Sequence, residues 1–240
     1  MLVIGIDEVA RGCLAGSVVS CAVMLRQEII RDWDTAELGR PRITDSKRMT
    51  PAQRQVAKNW IIGIDNQPDI SQGNNPSLAW GLGRASVAEI DELNIREATF
   101  LAMNRALDAC LGMLSHGNPN LCQEPIQVWV DGNAFKSIPS VAPIATNWPG
   151  VITYHTQVKG DLLIPSIACA SILAKEFRDA ELDALIASNP DELGCYGWDT
   201  NRAYGTADHF QAILYHGFTV WHRLSFLDKL LAPGRKPLPN

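Results

Sequence analysis

Leu2-Val3-Ile4-Gly5-Ile6-Asp7-Glu8 is the stretch on which the reading of this chain turns. Its first five residues form a short apolar, partly β-branched run, the pattern of a buried strand. Two adjacent carboxylates arrive before the run has ended. Successive strand residues point to opposite faces, so Asp7 and Glu8 cannot both face one core. A charged pair at the end of a buried strand is costly unless a cation or hydrogen bonds compensate. The pair reads either as a solvated strand end or as part of a metal-binding set whose other members lie elsewhere.

Outward from this stretch, Ala10-Arg11-Gly12 leads to a second strand-like run, Val18 to Leu25, giving a hairpin-like opening. Arg26 to Pro41 is a mixed polar loop or short helix. Thr50-Pro51 suits an N-cap with proline at the first helical position, and the helix runs to Ile61 or Ile62. Asn66 to Ser77 is rich in Gly, Pro, Asn and Ser and reads as an exposed loop. A third strand is expected over Trp80 to Ser86, then a long amphipathic helix from Ile95 to about Leu114. The residues of its apolar face (Ile95, Ala98, Thr99, Ala102, Ala106, Ala109, Met113) recur at spacings of three and four. Ile126 to Asp131 is a further strand, Ala134 to Pro149 is irregular, and Val151 to Tyr154 reads as strand again. Ser166 to Ala187 is a second long helix, Asn189 to Thr206 a loop, Ala207 to Tyr215 a short helix and Pro233 to Asn240 a tail. Strands alternating with helices point to an α/β sandwich.

At 240 residues the chain can bury one sizeable core, with room for a small C-terminal appendage. No stretch approaches the roughly 20 apolar residues of a membrane span, and the start lacks the basic region of a signal peptide. Six cysteines show no C-x-x-C pair, and several sit in apolar runs where a free thiol behaves as a small hydrophobe, which reads as a reducing, cytoplasmic compartment without a zinc site. The net charge of −5 does not advertise a nucleic-acid binder, but local patches decide binding, and clustered metal-binding acids count against the total.

Asp131 repeats the placement of Asp7: an apolar run of strand length, an aspartate at its end, then glycine. Asp161 ends Lys159-Gly160-Asp161 just before a helix. Acids at the ends of neighbouring strands and near a helix start can converge although distant in sequence. Four oxygen donors without His or Cys suit a hard cation such as Mg²⁺ or Mn²⁺. Two such ions about 4 Å apart suit in-line phosphodiester cleavage.

The whole string is more specific. Gly5-Ile6-Asp7-Glu8-Val9-Ala10-Arg11-Gly12, Asp45-Ser46-Lys47, Glu89 to Asn94, Val130-Asp131-Gly132-Asn133, Val158-Lys159-Gly160-Asp161, Ala170 to Lys175, Arg178-Asp179 and Tyr204-Gly205-Thr206 come in one order. That order resembles ribonuclease HII, the type 2 ribonuclease H, from residue 3 to about residue 226. The resemblance implies a ribonuclease H-like fold: a central mixed β-sheet flanked by α-helices, with a mainly helical C-terminal segment. Residues 1–188 would form the catalytic domain, 189–232 a helical segment completing the substrate groove, and 233–240 a flexible tail.

The resemblance also implies cleavage of RNA in RNA–DNA hybrids, and on the 5′ side of a ribonucleotide embedded in duplex DNA, leaving 5′-phosphate and 3′-hydroxyl ends. Two divalent ions, Mg²⁺ or Mn²⁺, would be held by Asp7, Glu8, Asp131 and Asp161. Ala10, Arg11 and Gly12 stand where the family's glycine–arginine–glycine loop reads the 2′-hydroxyl. Lys47, Lys159, Lys175 and Arg178 match phosphate-meeting positions. Ser171 bonds either a phosphate or its own helix backbone, and Tyr204 matches the residue that packs on the following sugar. A monomer is expected, with RNA–DNA hybrid or ribonucleotide-containing duplex as partner and no membrane.

Three departures stand out. Ala10 replaces the loop's first glycine, and its methyl group would hinder a positive φ. Asn201-Arg202-Ala203 replaces the usual His-Lys-Gly, and Cys13 stands where proline is usual. Asp91 and Glu92 read as acids at a helix N-terminus, and Asp179 as part of a structural ion pair. His209, His216 and His222 take surface or packing roles, while Trp148 and Trp198 fall in loops from which a ring can stack on a base. The competing reading is a hybrid-binding module that cleaves poorly because its loop has drifted. An exonuclease or transposase sharing the sheet and metals is a third, opposed by the Ala10-Arg11-Gly12 loop and Tyr204.

Overall fold

The computed structural model describes residues 1–31, 33, 41, 43–44, 46–63 and 77–231. Asp45, most of the expected 66–77 loop and the 233–240 tail lie outside them. β1 (Leu2–Val9) and β2 (Val18–Leu25) form the opening hairpin, followed by α1 (Gln27–Arg31), α2 (Pro51–Ile62) and β3 (Ser77–Ala85). Next come α3 (Val87–Leu93), α4 (Ile95–Gly117), β4 (Ile126–Asp131), α5 (Pro143–Thr146), β5 (Ile152–Gln157), α6 (Gly160–Leu163) and α7 (Pro165–Ser188). The C-terminal part is helical: α8 (Pro190–Leu193), α9 (Trp198–Asn201), α10 (Ala207–His216) and α11 (Leu224–Leu231). The start of α2 is as read from Thr50-Pro51: the Thr50 and Gln53 side chains and backbones cap each other reciprocally.

The five described strands form one mixed sheet in the order β3-β2-β1-β4-β5. β1 pairs antiparallel with β2 and parallel with β4, and β4 pairs parallel with β5. Alternation along β1 sends Leu2, Ile4 and Ile6 into a core shared with α4 residues such as Met103 and Leu107. The opposite face receives α7. There a Cβ on Gly5 would lie 2.2 Å from the Ile167 backbone nitrogen, so only glycine lets helix and strand backbones meet. No helix among the described residues is long and apolar enough to cross a membrane, and all six cysteines are unbridged.

A second core joins the C-terminal helices to the loop after β1. Ala10, Cys13, Leu14 and Ala15 pack with Leu182 at the end of α7 and with Tyr196, Trp198, Ala203, Ile213 and Leu227. Two buried arginines bind this joint through main-chain oxygens. Arg223, wholly buried, donates to Gly16 O at 2.9 Å, Arg11 O at 3.1 Å and Ser17 O at 3.1 Å. Arg178 donates to Arg202 O at 2.7 Å.

Several expectations are corrected. The 189–206 segment is not a loop but holds α8, a 3₁₀ turn and α9, and the irregular 134–149 stretch holds α5. Each of these α-helices is four residues long, too short for a helical period to show. Trp198 is 1% exposed and so buried away from any base. Asp91 does not serve the start of the long helix, because Asn94, at φ 71°, breaks the chain into α3 and α4 and caps α4 itself. Asp91 instead accepts from the Leu224 and Ser225 N–H groups, both at 3.0 Å, at the start of α11. The chemistry is that of an N-terminal acid, applied to a helix 133 residues away.

Gly5→Ala tests the strand–helix contact. It should destabilise the protein by about 3 kcal/mol or prevent folding, read by urea unfolding. A loss below about 1 kcal/mol would show that α7 can shift off β1.

Candidate active site

The last registered pair of the parallel β1–β4 ladder is Ile6 with Val130. One residue further along each strand come Asp7 and Asp131, side by side and on the face that receives α7. Glu8, of opposite parity, turns toward Arg11, whose Nη1 donates to Glu8 Oε1 at 3.1 Å. Asp161 follows from the turn after β5, where Lys159 takes a left-handed φ of 58° and Gly160 opens α6. The Gly160 N–H donates to Asp131 Oδ1 at 2.7 Å. A Cβ on Gly160 would lie 2.6 Å from Ile167 Cδ1 and 3.3 Å from that carboxylate, which ties glycine to this place.

Asp7, Glu8, Asp131 and Asp161 line one cavity of about 480 Å³. Its remaining wall is Val9, Ser46, Lys47, Ser171, Lys175 and Tyr204. Ser171, Lys175 and Asp179 recur every four residues along α7, one stripe of the helix turned to the site. Ser171 is 9% exposed, and its hydroxyl bonds the Asp7 carboxylate and lies 3.1 Å from the Ser46 hydroxyl. Lys175 Nζ is 2.7 Å from Asp179 Oδ2, and Arg54 bridges Glu176 and Asp179 from α2. Asp179 thus sits in the ion-pair cluster expected of it.

Burial is the main cause that pushes the Asp7 carboxyl well above the usual range, and the Glu8 and Asp131 charges add to it. Glu8 is raised too, by burial first and against the pull of Arg11. Unmatched negative charge on oxygen-only donors fits a hard divalent cation and suits no soft metal. Among the described residues, however, no group of three or more His, Cys, Asp or Glu is gathered closely enough to hold an ion as it stands. Two of the acids face other partners, Glu8 the Arg11 guanidinium and Asp131 the Gly160 N–H.

Other expected residues are placed differently from one another. Lys47, on the Ser46–Arg48 turn, lines the cavity. Arg11, 52% exposed on its side chain, lines a neighbouring cavity of about 230 Å³ that also reaches Asp131. Lys159 is exposed and outside the main cavity lining. Arg178 is the clear correction: at 3% exposed it bonds Arg202 O and the Cys13 sulfur instead of facing a phosphate. Gly12 faces the Tyr204 ring, whose Cε1 would lie 3.9 Å from a Cβ there. Ala10 does adopt a positive φ, 68°, with its methyl group buried in the second core. Ser46 and Arg223 were missed. The partners of Arg223 lie more than 200 residues away, beyond any local pattern.

The ribonuclease HII family model matches residues 4–229. The chain belongs to the ribonuclease HII family. The ribonuclease HII of Bacteroides thetaiotaomicron is 36% identical over 96% of this chain and 91% of its own length. That of Synechococcus sp. (strain RCC307) is 41% identical over 98% of this chain and 95% of its own. In structure, the ribonuclease H2 of Pyrococcus horikoshii OT3 matches with a TM-score of 0.59 and 20% identity, over 94% of this chain and 93% of that one, which establishes the fold. The chain is therefore a metal-dependent endoribonuclease with the ribonuclease H-like fold, and family membership carries hydrolysis of RNA in RNA–DNA hybrids.

The raised Asp7 carboxyl has a measurable consequence. In metal-free protein its charge is destabilising above its ordinary value of 3.8. Asp7→Asn should be more stable than the parent at pH 7.5, by about 1–3 kcal/mol. Because the folded protein holds the proton more tightly than the unfolded chain, the gap should shrink as pH falls toward that ordinary value. A variant less stable than the parent in EDTA would contradict this electrostatic account.

Proposed function

We propose that this chain cuts on the 5′ side of ribonucleotides embedded in duplex DNA as well as within hybrids, leaving 5′-phosphate and 3′-hydroxyl ends. Two divalent ions, Mg²⁺ or Mn²⁺, are held among Asp7, Glu8, Asp131 and Asp161. The observation that carries this is the β1–β4 register, which sets Asp7 beside Asp131 at a cavity whose other wall bears Lys47, Lys175 and Tyr204. Bound ions in such a site supply an activated water and neutralise charge on the departing oxygen.

The chain's own groups bind and align the substrate. Ser171 and the Gly160 N–H orient the Asp7 and Asp131 carboxylates. Lys175, steadied by Asp179, and Lys47 meet the phosphates on either side of the cut, and exposed Lys159 meets one further along. With an ion bound, Glu8 would serve as one of its ligands instead of pairing with Arg11, leaving Arg11 to the strand that enters beside it. The Ala10-Arg11-Gly12 backbone reads the 2′-hydroxyl, the group that separates RNA from DNA. Tyr204, 39% exposed, presents its ring to the next sugar. Residues 1–188 carry the acids, and 189–232 close the groove. The protein works as a monomer in a reducing, cytoplasmic setting.

Ala10 is the one observation that favours the competing binding module. A left-handed alanine costs about 1–2 kcal/mol, while burying its methyl returns about 0.8 kcal/mol. The net cost is about 0.2–1.2 kcal/mol, small enough that Ala10 holds the positive φ open to a glycine. This supports an intact cutting loop.

The test uses duplex DNA carrying one ribonucleotide and an all-RNA strand paired with DNA, each with Mg²⁺ or Mn²⁺. The parent should cut both, and Asp131→Asn should lose at least about 100-fold, the scale on which even outer partners of metal ligands count. Metal-dependent cutting of neither duplex would overturn the reading. Ala10→Gly should change stability by under about 1 kcal/mol and leave cutting of the lone ribonucleotide within about threefold. The binding-module reading requires instead an inert parent and cutting restored by glycine.

A further inference from the structure

Tyr204 ends a turn in which two consecutive non-glycine residues are left-handed, Arg202 at φ 52° and Ala203 at φ 62°. Such a turn persists only where its surroundings over-determine it. On one side it is held by the Leu14 N–H, which donates to Ala203 O at 2.8 Å, and by Arg178 on Arg202 O. On the other side Tyr204 O accepts from the Thr206 N–H at 2.9 Å and faces His209 Nδ1, also at 2.9 Å.

Behind His209 lies a wholly buried chain of rings. Trp198 Nε1 is 2.9 Å from His209 Nε2, which is 3.2 Å from His222 Nε2, and the Thr219 N–H reaches His222 Nδ1 at 2.9 Å. The donors at both ends fix every proton. A backbone N–H can only donate, so His222 Nδ1 accepts and its proton sits on Nε2. Indole N–H can only donate, so His209 Nε2 gives its single in-plane lone pair to Trp198, and the His222 Nε2–H lies 3.2 Å from the same nitrogen. The His209 proton is thereby placed on Nδ1, aimed at Tyr204 O. Burial keeps both rings neutral, pushing His209 below its usual value and His222 down to about 4.

We propose that Thr219, His222, Trp198 and His209 form a relay whose output, the His209 Nδ1–H bond to Tyr204 O, positions the Tyr204 ring over the entrance of the active site. This rests on the reading of Tyr204 as the sugar-facing residue. His209 and His222 are positioning residues, since neither reaches the cavity lined by the acids. Placement of the ring thus depends on a His209 tautomer set by the buried Trp198 indole N–H, with His222 held behind it by the Thr219 main-chain N–H.

Two variants separate positioning from mere packing. In His209→Asn the amide nitrogen stands where Nδ1 stood, while His209→Gln restores a group at Nε2 and loses the donor to Tyr204. Both should lower stability by similar amounts, because each leaves buried groups unpaired. Only His209→Gln should weaken binding of a duplex with one ribonucleotide, by about tenfold in anisotropy titrations in EDTA and in KM, with kcat within about twofold. In a Tyr204→Ala background the same change should add nothing. With ¹³C-labelled tyrosine, the Tyr204 ring signal, assigned by its loss in Tyr204→Phe, should move in His209→Gln and stay in His209→Asn. Equal losses of affinity in both variants, a loss persisting without Tyr204, or an unmoved ring signal would each overturn the relay. If the parent fails to cut the ribonucleotide-bearing duplex while the ring signal moves as stated, the functional reading falls and the positioning stands.

Discussion

The structure depends on the register between two parallel strands. Ile6 and Val130, partners in the β1–β4 ladder, lie 124 residues apart in the chain, yet their pairing brings Asp7 level with Asp131. A slip of one residue would turn one of the two aspartates into the α4 core and every apolar residue of that strand out of it. The core therefore enforces the site: Leu2, Ile4 and Ile6 on one strand and Ile126, Val128 and Val130 on the other permit a single alignment. Gly5 then lets the start of α7 settle on the aspartate face, which carries Ser171 to Asp7 and Lys175 to the cavity wall.

The same alignment concentrates like charge in a buried place, which runs against stability. The fold answers with local dipoles and short ion pairs: the Ser171 hydroxyl on Asp7, the Gly160 N–H on Asp131 and Arg11 on Glu8. None of these neutralises the set, since Asp7 remains raised despite its hydrogen bonds. A site left short of positive charge by its own protein is one built to receive it from outside. Around this deficit the C-terminal helices add rigidity. Arg178 and Arg223, which carry positive charge into the interior, use it on main-chain oxygens of the loops flanking the cavity.

Much of this was legible in the sequence, because its causes are local. The strand-end acids announced themselves as carboxylates closing apolar runs, Thr50-Pro51 marked a helix start, and three-and-four spacing gave α4. The Ala10 methyl group was expected to hinder a positive φ, yet the residue adopts one, with the methyl group buried. What stayed hidden depends on partners distant in the chain. Asp91 reads as a helix-start acid but serves α11, and Arg178 reads as a phosphate ligand but is drawn inward by Arg202 O. The short helices between 189 and 206 carry no periodicity to read. The histidine relay shows no ligand spacing because its logic lies in donors and acceptors, which only three-dimensional contact reveals.

Diffraction from crystals soaked in Mn²⁺, with the anomalous signal mapped, tests the central claim most directly. The account predicts a peak between the Asp7 and Asp131 carboxylates, with Glu8 turned from Arg11 toward it and a second peak within reach of Asp161. A Mn²⁺ peak elsewhere, or none between those two aspartates at saturating metal, would contradict it.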